Sequence, residues 1–235
     1  FRIFASSTVE GGHLARLALK SGIATASIIY ANTDYGVGLY NVLTDRLQGR
    51  VRLVAAEAYA AGTRDFRTQI QKAIVMAKPE ALFLLGFPTA MGTILKQMAE
   101  MGVSVRVFAP NSFEGEEILK IAGNAAEGVI YVYPVLSDSG YASRVKAGFR
   151  ARYGPEMNVY NGMGYDAVMV LAAAMQDALS RSGSAYGDAI REALSRSHDF
   201  PGVTGPITFD ANGDVVDRTM EARVVHNGKF LPVTE

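Results

Sequence analysis

The chain has 235 residues, 49% of them apolar, and its 23 basic side chains balance its 23 acidic ones. That balance leaves no electrostatic footprint for a nucleic-acid backbone or an anionic membrane. The absence of cysteine excludes a disulfide framework, a thiolate nucleophile and a cysteine-based zinc site, and is compatible with either the cytoplasm or a periplasm.

The chain opens on a strand-like FRIF (1–4) and runs into a helical segment over 14–20. From about Ser27, short apolar runs alternate with segments of helical period, the signature of βαβ units on a parallel sheet. The predicted strands are SIIYA (27–31), VRLVA (51–55), ALFLLG (81–86), VRVFA (105–109) and GVIYVY (128–133). Their nearly continuous hydrophobicity suits strands covered on both faces. Between them, apolar residues recur every three or four positions: Leu39, Val42, Leu43 and Leu47, then Phe66, Ile70 and Ile74, then Ile94, Leu95, Met98 and Met101. Gly102 stops the third helix as a C-cap glycine would. No apolar run is long enough to cross a bilayer, and no charged segment with an apolar core of signal-peptide type precedes them, so no export signal is expected within the chain.

After Tyr133 and Pro134 three helical segments follow one another, at about 139–152, 163–180 and 185–196, with no parallel strand between them. Each carries an apolar stripe, yet this half supplies only short strands near 205–209, 220–226 and 229–233. These stripes predict a covering sheet, and a preceding N-terminal portion is expected to hold it. TFDANGD (208–214) begins like a calcium loop, with Asp210, Asn212 and Asp214 alternating and Glu221 eleven residues after Asp210. The glycine required at the sixth loop position is instead Val215, and the only glycine, Gly213, comes two places early. The pair Asn212-Gly213 therefore predicts a tight hairpin turn between 206–209 and 220–225, with no metal bound.

With that architecture set out, the local wording resembles the type I periplasmic solute-binding proteins of the branched-chain amino acid (Leu/Ile/Val) class, the receptors of ABC importers. The resemblance runs from Phe1 and Arg2 to Phe230 and rests on FRIF followed by EGG, NTDYGVGL (32–39), GTRDF (62–66), MGTILKQMAEMG (91–102), IAGNAAEGV (121–129), YDAV (165–168) and GVTGPITFDANGD (202–214). It implies an α/β clamshell of doubly wound parallel sheets that traps a small molecule between two lobes. On this reading 6–133 form a complete five-stranded parallel lobe, while 1–5 and 134–235 belong to an incomplete first lobe with the crossovers. About a hundred residues and a signal peptide would normally precede Phe1, so this chain alone is expected to bind ligand poorly.

Ligands of open parallel α/β sheets bind beyond the carboxyl ends of the strands. Tyr35 follows the first strand, and the resemblance implies that it lines the cleft; the alternative is packing over the helix start. Phe87 follows the third strand, where the resemblance implies an aromatic facing ligand; the alternative, which the residues favour slightly, is a plain core or loop-anchoring Phe. Asn111 follows the fourth strand, where relatives that bind α-amino acids often carry an acid that pairs with the ligand's ammonium. Ser7 stands where the resemblance implies an Asp in some relatives. Two neutral residues at those positions leave room for ligands without an ammonium, such as aromatic or aliphatic carboxylates, or serve simply as turn and cap residues.

No catalytic constellation emerges. His13, His198 and His226 are scattered without metal-ligand spacing. Gly36 and Gly38 lack the third glycine of a dinucleotide fingerprint, because position 41 is Asn. Asp65 with Glu80, or Glu114 with Glu116 and Glu117, could be imagined as acid/base pairs, but the glutamates look like a helix first turn. The reading is a periplasmic or extracytoplasmic binding receptor without cofactor or catalytic residues, whose partners are a small-molecule ligand (an amino acid or small carboxylate) and an ABC permease. A ligand-sensing regulator on the same clamshell is the alternative, and an enzyme on a flavodoxin-like sheet ranks third.

Overall fold

A computed structural model describes residues 1–216 and 218–233. The chain divides into two compact units, one of Phe1–Val9 with Pro134–Thr219 and the other of Glu10–Tyr133 with Met220–Glu235.

The larger unit is built on a seven-stranded sheet. In chain order its elements are α1 (Ser7–Lys20), β1 (Thr25–Ala31), α2 (Asp34–Leu47), β2 (Arg52–Tyr59), α3 (Arg67–Ile70), β3 (Ala81–Leu85), α4 (Pro88–Glu100), β4 (Arg106–Ala109), α5 (Glu116–Ala122) and β5 (Ile130–Pro134). A π-helical segment, Gln71–Met76, continues α3. The strand order is β2-β1-β3-β4-β5, continued by β6 (Met220–His226) and β7 (Lys229–Pro232). The pairs β1–β2, β1–β3, β3–β4 and β4–β5 are parallel, with Ile28 opposite Phe83 and Phe83 opposite Phe108.

Alternate residues of these strands face opposite layers. Ile28, Phe83, Leu85, Phe108 and Val132 join Leu14 and Ala18 of α1 and Leu39, Leu43 and Leu47 of α2 in one buried cluster. Burying each Leu of that stripe is worth about 1.5–3 kcal/mol relative to leaving it in water. The intervening Ile29, Leu82 and Leu84 are fully buried outside that cluster, as are Phe66, Ile70, Met91 and Ile94.

Several boundaries differ from the sequence reading, among them β2, which runs on to Tyr59 as a largely half-buried edge strand, and two differences matter most. Helix α1 starts at Ser7, seven residues before the expected 14. The glycine pair at 11–12 hid this turn, but Gly11 serves close helix packing: a Cβ there would stand 2.7 Å from the Val42 Cγ1 of α2. The second correction concerns 220–232, expected in the other lobe. The β6–β7 hairpin is antiparallel and joins the β5 edge, where Gly128 N–H donates to Val225 O at 2.9 Å and Val225 N–H to Val129 O at 3.1 Å. Arg223 of β6 fixes it further, donating to both carboxylate oxygens of Glu114, which also accepts the Tyr131 hydroxyl. A short amphipathic strand reads the same whichever sheet it extends, so sequence gave no basis for choosing.

The smaller unit holds α6 (Gly140–Tyr153), α7 (Val159–Ser182) and α8 (Gly187–Ser195). Its core gathers Val170, Ala174 and Ala178 of α7 with Ala193 and Leu194 of α8 and with Ile207, Phe209 and Val215. Asp166, fully buried on α7, accepts the backbone N–H groups of Val203 (2.7 Å) and Thr204 (2.9 Å) and the Thr204 hydroxyl (2.5 Å). Arg218 donates to the Thr204 carbonyl at 2.7 Å and to the Ile3 carbonyl at 2.9 Å. The opposite face of α7 exposes Val168, Leu171, Met175 and Leu179.

The turn at 210–214 is also tighter than expected. Phe209 bridges Val215, not a residue near 220, and the Asp210 carboxylate accepts the N–H groups of Asn212 (2.8 Å) and Asp214 (2.9 Å). These bonds, the Asp214 one foremost, hold the Asp210 carboxyl below its ordinary range. Asp214 is engaged by Arg2, whose Nε and Nη2 each donate at 2.8 Å.

Candidate functional site

The carboxyl ends of the parallel strands in the larger unit converge on a small set of side chains. At the end of β1, Thr33 caps α2 by accepting the Gly36 N–H at 3.3 Å, which places Tyr35 in the helix's first turn. At the end of β3, Phe87 takes the N-cap position of α4 with Pro88 behind it, and about half of its surface is exposed. At the end of β4, Asn111 opens a short 3₁₀ turn, Asn111–Phe113, and is buried.

Three of the four expected site residues therefore come together. The Tyr35 and Phe87 rings lie 5.6 Å apart, centroid to centroid, at a tilt of 38°. Tyr35 also packs against the core cluster beneath α2, so it serves the helix start as well as the strand ends. Ser7 opens α1 and falls in the smaller unit.

Joining Tyr35 to Asn111 is a residue the sequence reading missed. Glu10 is 1% exposed. Its Oε1 accepts the Asn111 backbone N–H at 2.6 Å and also the Asn111 Nδ2. The Tyr35 hydroxyl stands 3.1 Å from both carboxylate oxygens. Burial pushes the Glu10 carboxyl up to about 7, opposed by the hydrogen bonds from the Asn111 backbone, Tyr35 and the Asn111 side chain. A signal was present: Glu10 stands four residues before Leu14 and eight before Ala18, on the buried stripe of α1. A lone acid in a helix's first turn otherwise reads as a solvated dipole partner. A buried carboxylate thus reaches Asn111 from α1.

Beside Phe87, a cavity of about 610 Å³ opens between the carboxyl ends of β1, β2 and β3. The rings of Tyr59 and Phe87, four threonines (Thr33, Thr63, Thr89 and Thr93) and several alanines line it, with Arg64 as its one charged residue. Tyr59 is held by donating to the Leu85 carbonyl at 3.4 Å, and Gly86 leaves room for its hydroxyl, since a Cβ there would stand 1.8 Å away. A separate hollow of about 360 Å³ lies at the opposite ends of β4 and β5, away from these side chains.

The remaining acids and histidines do not converge. Glu116 pairs with Lys120 and Glu117 accepts from Thr89, while Glu80 accepts the Ala24 N–H and Asp65 pairs with Arg67. His198 stands beside Asp199 and His226 beside Glu127, both exposed, and His13 lines a hollow with Arg16 and Glu221. Among the described residues no three His, Cys, Asp or Glu side chains form a metal-binding group, and no helix is long and apolar enough to cross a membrane.

A family model described as periplasmic binding protein matches residues 1–229. The chain belongs to the periplasmic binding protein family. Among the relatives of this family member, the leucine-, isoleucine-, valine-, threonine- and alanine-binding protein of Pseudomonas aeruginosa is 26% identical over 193 residues, covering 81% of this chain and 50% of that protein. The leucine-specific-binding protein of Salmonella typhimurium is 29% identical over 196 residues, covering 80% of this chain and 50% of that protein. The chain spans about half the length of these curated relatives. A leucine-binding protein structure from Thermotoga maritima superposes with a TM-score of 0.84 at 26% identity, covering 97% of this chain and 65% of that one. The isoleucine complex of a branched-chain amino acid transporter substrate-binding protein from Streptococcus pneumoniae shares the fold at a TM-score of 0.78 and 24% identity, covering 97% of this chain and 65% of that one. The α/β type I periplasmic-binding-protein fold follows, in a family of solute-binding proteins and not of enzymes.

Proposed function

We propose that this family member is an extracytoplasmic solute-binding receptor for an ABC importer, holding a branched-chain amino acid or a similar small carboxylate and presenting it to a membrane permease. The observation that carries the reading is the arrangement at the carboxyl ends of β1, β3 and β4. Exposed Phe87 lies tilted against Tyr35 and lines a mostly apolar cavity, with the buried Glu10 and Asn111 pair behind Tyr35. A small solute with an apolar body and one polar head matches the cavity, whose mostly apolar wall carries a few threonine hydroxyls and Arg64. The printed specificities of the relatives, leucine and its neighbours in size, are of this chemistry.

The experiment is calorimetric titration with L-leucine, L-isoleucine and 4-methylpentanoate, the leucine analogue without the amine. In keeping with a chain that spans about half the length of its relatives, the reading expects weak but saturable binding of at least one solute, weakened about tenfold further by Phe87→Ala with the fold retained by circular dichroism. Equal binding by the variant, or silence towards every solute of this class, overturns it.

A further inference from the structure

Asparagine is followed by glycine at three places, Asn161-Gly162, Asn212-Gly213 and Asn227-Gly228. Such a pair can react within itself, because the glycine nitrogen directly follows the asparagine and no Cβ hinders its approach to the asparagine Cγ. The fold treats the three pairs differently. Asn161 lies in the first turn of α7, where its Oδ1 accepts the Asn158 N–H at 3.2 Å and the buried Gly162 donates its N–H to the Asn158 carbonyl at 3.0 Å. Gly213 donates its N–H to the Asp210 carbonyl at 3.0 Å, and the Asp210 carboxylate accepts the Asn212 N–H at 2.8 Å. Among the described residues no hydrogen bond brings an imidazole or an ammonium to either of these two amide side chains.

The third pair is different. Asn227 and Gly228 form the exposed two-residue turn between β6 and β7, with φ of +51° and +66°. Glu127, in the turn before β5, reaches both residues: its Oε1 accepts the Asn227 N–H at 2.8 Å and its Oε2 the Gly228 N–H at 3.4 Å. These bonds, the Asn227 one foremost, hold the Glu127 carboxyl below its ordinary range, so it is an ionised base at neutral pH. His226 Nε2 lies 3.1 Å from Asn227 Nδ2, and His226 Nδ1 lies 3.1 Å from Glu127 Oε1. A carboxylate therefore rests on the nitrogen that would attack, and an imidazole on the nitrogen that would leave.

We propose that Asn227 is a self-modifying site, at which Glu127 and His226 promote conversion of its side-chain amide to an acid. The Gly228 nitrogen bonds to Asn227 Cγ and passes its proton to Glu127 Oε2. The bond from Cγ to Nδ2 then breaks, and that nitrogen leaves as ammonia with a proton from His226 Nε2, since the protonated ring has a donor at each nitrogen. Glu127 has gained one proton and His226 has lost one, and their contact at 3.1 Å or exchange with solvent restores both. Water opens the resulting five-membered imide at either carbonyl, leaving aspartate or an isoaspartyl link in which the chain runs through Cγ. Water is the sole reactant consumed, and nothing is oxidised or reduced. The product sets a second carboxylate beside Glu127, in the turn next to the bonds by which the β6–β7 hairpin meets the sheet.

The test ages the unaltered chain in neutral buffer and follows the three pairs by peptide mass mapping, with isoaspartate separated from aspartate by chromatography. Asn227 should convert about tenfold or more faster than Asn212 or Asn161, a ratio within the span of general acid and base assistance. Glu127→Gln and His226→Gln, whose side chains keep their polarity but transfer no proton, should each slow it about tenfold or more, with the fold retained by circular dichroism. Conversion of Asn227 no faster than that of Asn212 overturns the proposal, as does an unchanged or higher rate in either variant. The same chain held in urea supplies the reference. There the three pairs should react alike, and a preference for Asn227 that persists in urea belongs to the local sequence and overturns the proposal too.

Discussion

The backbone N–H of Asn111 donates to Glu10 Oε1 across 2.6 Å, tying the turn after β4 to the first turn of α1, 101 residues earlier. An amide at 111 and an acid at 10 form one polar unit, which couples the stability of the larger unit to pH.

Burial raises the Glu10 pKa from 4.5 to about 7. Below about pH 4.5 the folded and unfolded chains both hold the proton, and between the two values only the folded chain does. Stability is therefore greatest at the acid end and falls as pH rises through about 7. At about 1.4 kcal/mol per tenfold change in proton affinity, the loss is roughly 3 kcal/mol. Urea denaturation at stepped pH should show this fall, and Glu10→Gln should abolish it.

Asp166→Ala should be among the most damaging single changes in the smaller unit. It strips acceptors from the Val203 and Thr204 N–H groups and leaves buried Arg218 without the negative charge that favours its ionised form. Breaking a buried charged network of this kind costs about 3–5 kcal/mol. Asp166→Asn, which keeps an acceptor oxygen, should cost less; equal denaturation midpoints for the two variants would contradict the network.

On α7, neighbouring positions should respond in opposite ways. Val170 is 3% exposed and Leu171 is 43% exposed. Val170→Ala should cost about 1–3 kcal/mol, and Leu171→Ala no more than about 0.5 kcal/mol. Thermal unfolding of the pair checks the orientation of the helix.

Gly86→Ala should disturb the cavity through Tyr59, because the new methyl would meet the Tyr59 hydroxyl oxygen at 1.8 Å. Overpacking of this sort costs about 1–3 kcal/mol. Adding Tyr59→Phe should recover part of the loss, since it removes the atom in the way; no recovery would mean that the ring does not stand over Gly86.

Much of the larger unit was legible because β1, β3 and β5 are buried on both faces and helices such as α2 keep the 3.6-residue period, as at Leu39, Leu43 and Leu47. What stayed hidden depended on partners distant in sequence. Strand β6 carries no mark of the edge it joins, and its attachment lies in main-chain bonds just before β5, the Gly128 N–H donating to the Val225 carbonyl and the Val225 N–H to the Val129 carbonyl. Glu10 was hidden for a related reason. Its burial comes from Asn111 and Tyr35 closing over it, and charge type alone assigns such a residue to solvent. The grouping of Tyr35, Phe87 and Asn111 was reachable, because each follows a parallel strand and such ends meet on one side of a sheet.

The β6–β7 hairpin sets a timetable for synthesis. Strand β5 ends at Pro134, but the strand that covers its open edge begins only at Met220, after the helices of the other unit have been made. Throughout that interval the nascent sheet presents an unpaired row of N–H and C=O groups beside Val129, able to pair with a neighbouring chain. A ribosome stalling in α7 or α8 would hold the chain in that state. Strands made only after the helices of the other unit cap the edge, so misassembly between chains is to be sought among products interrupted before residue 220.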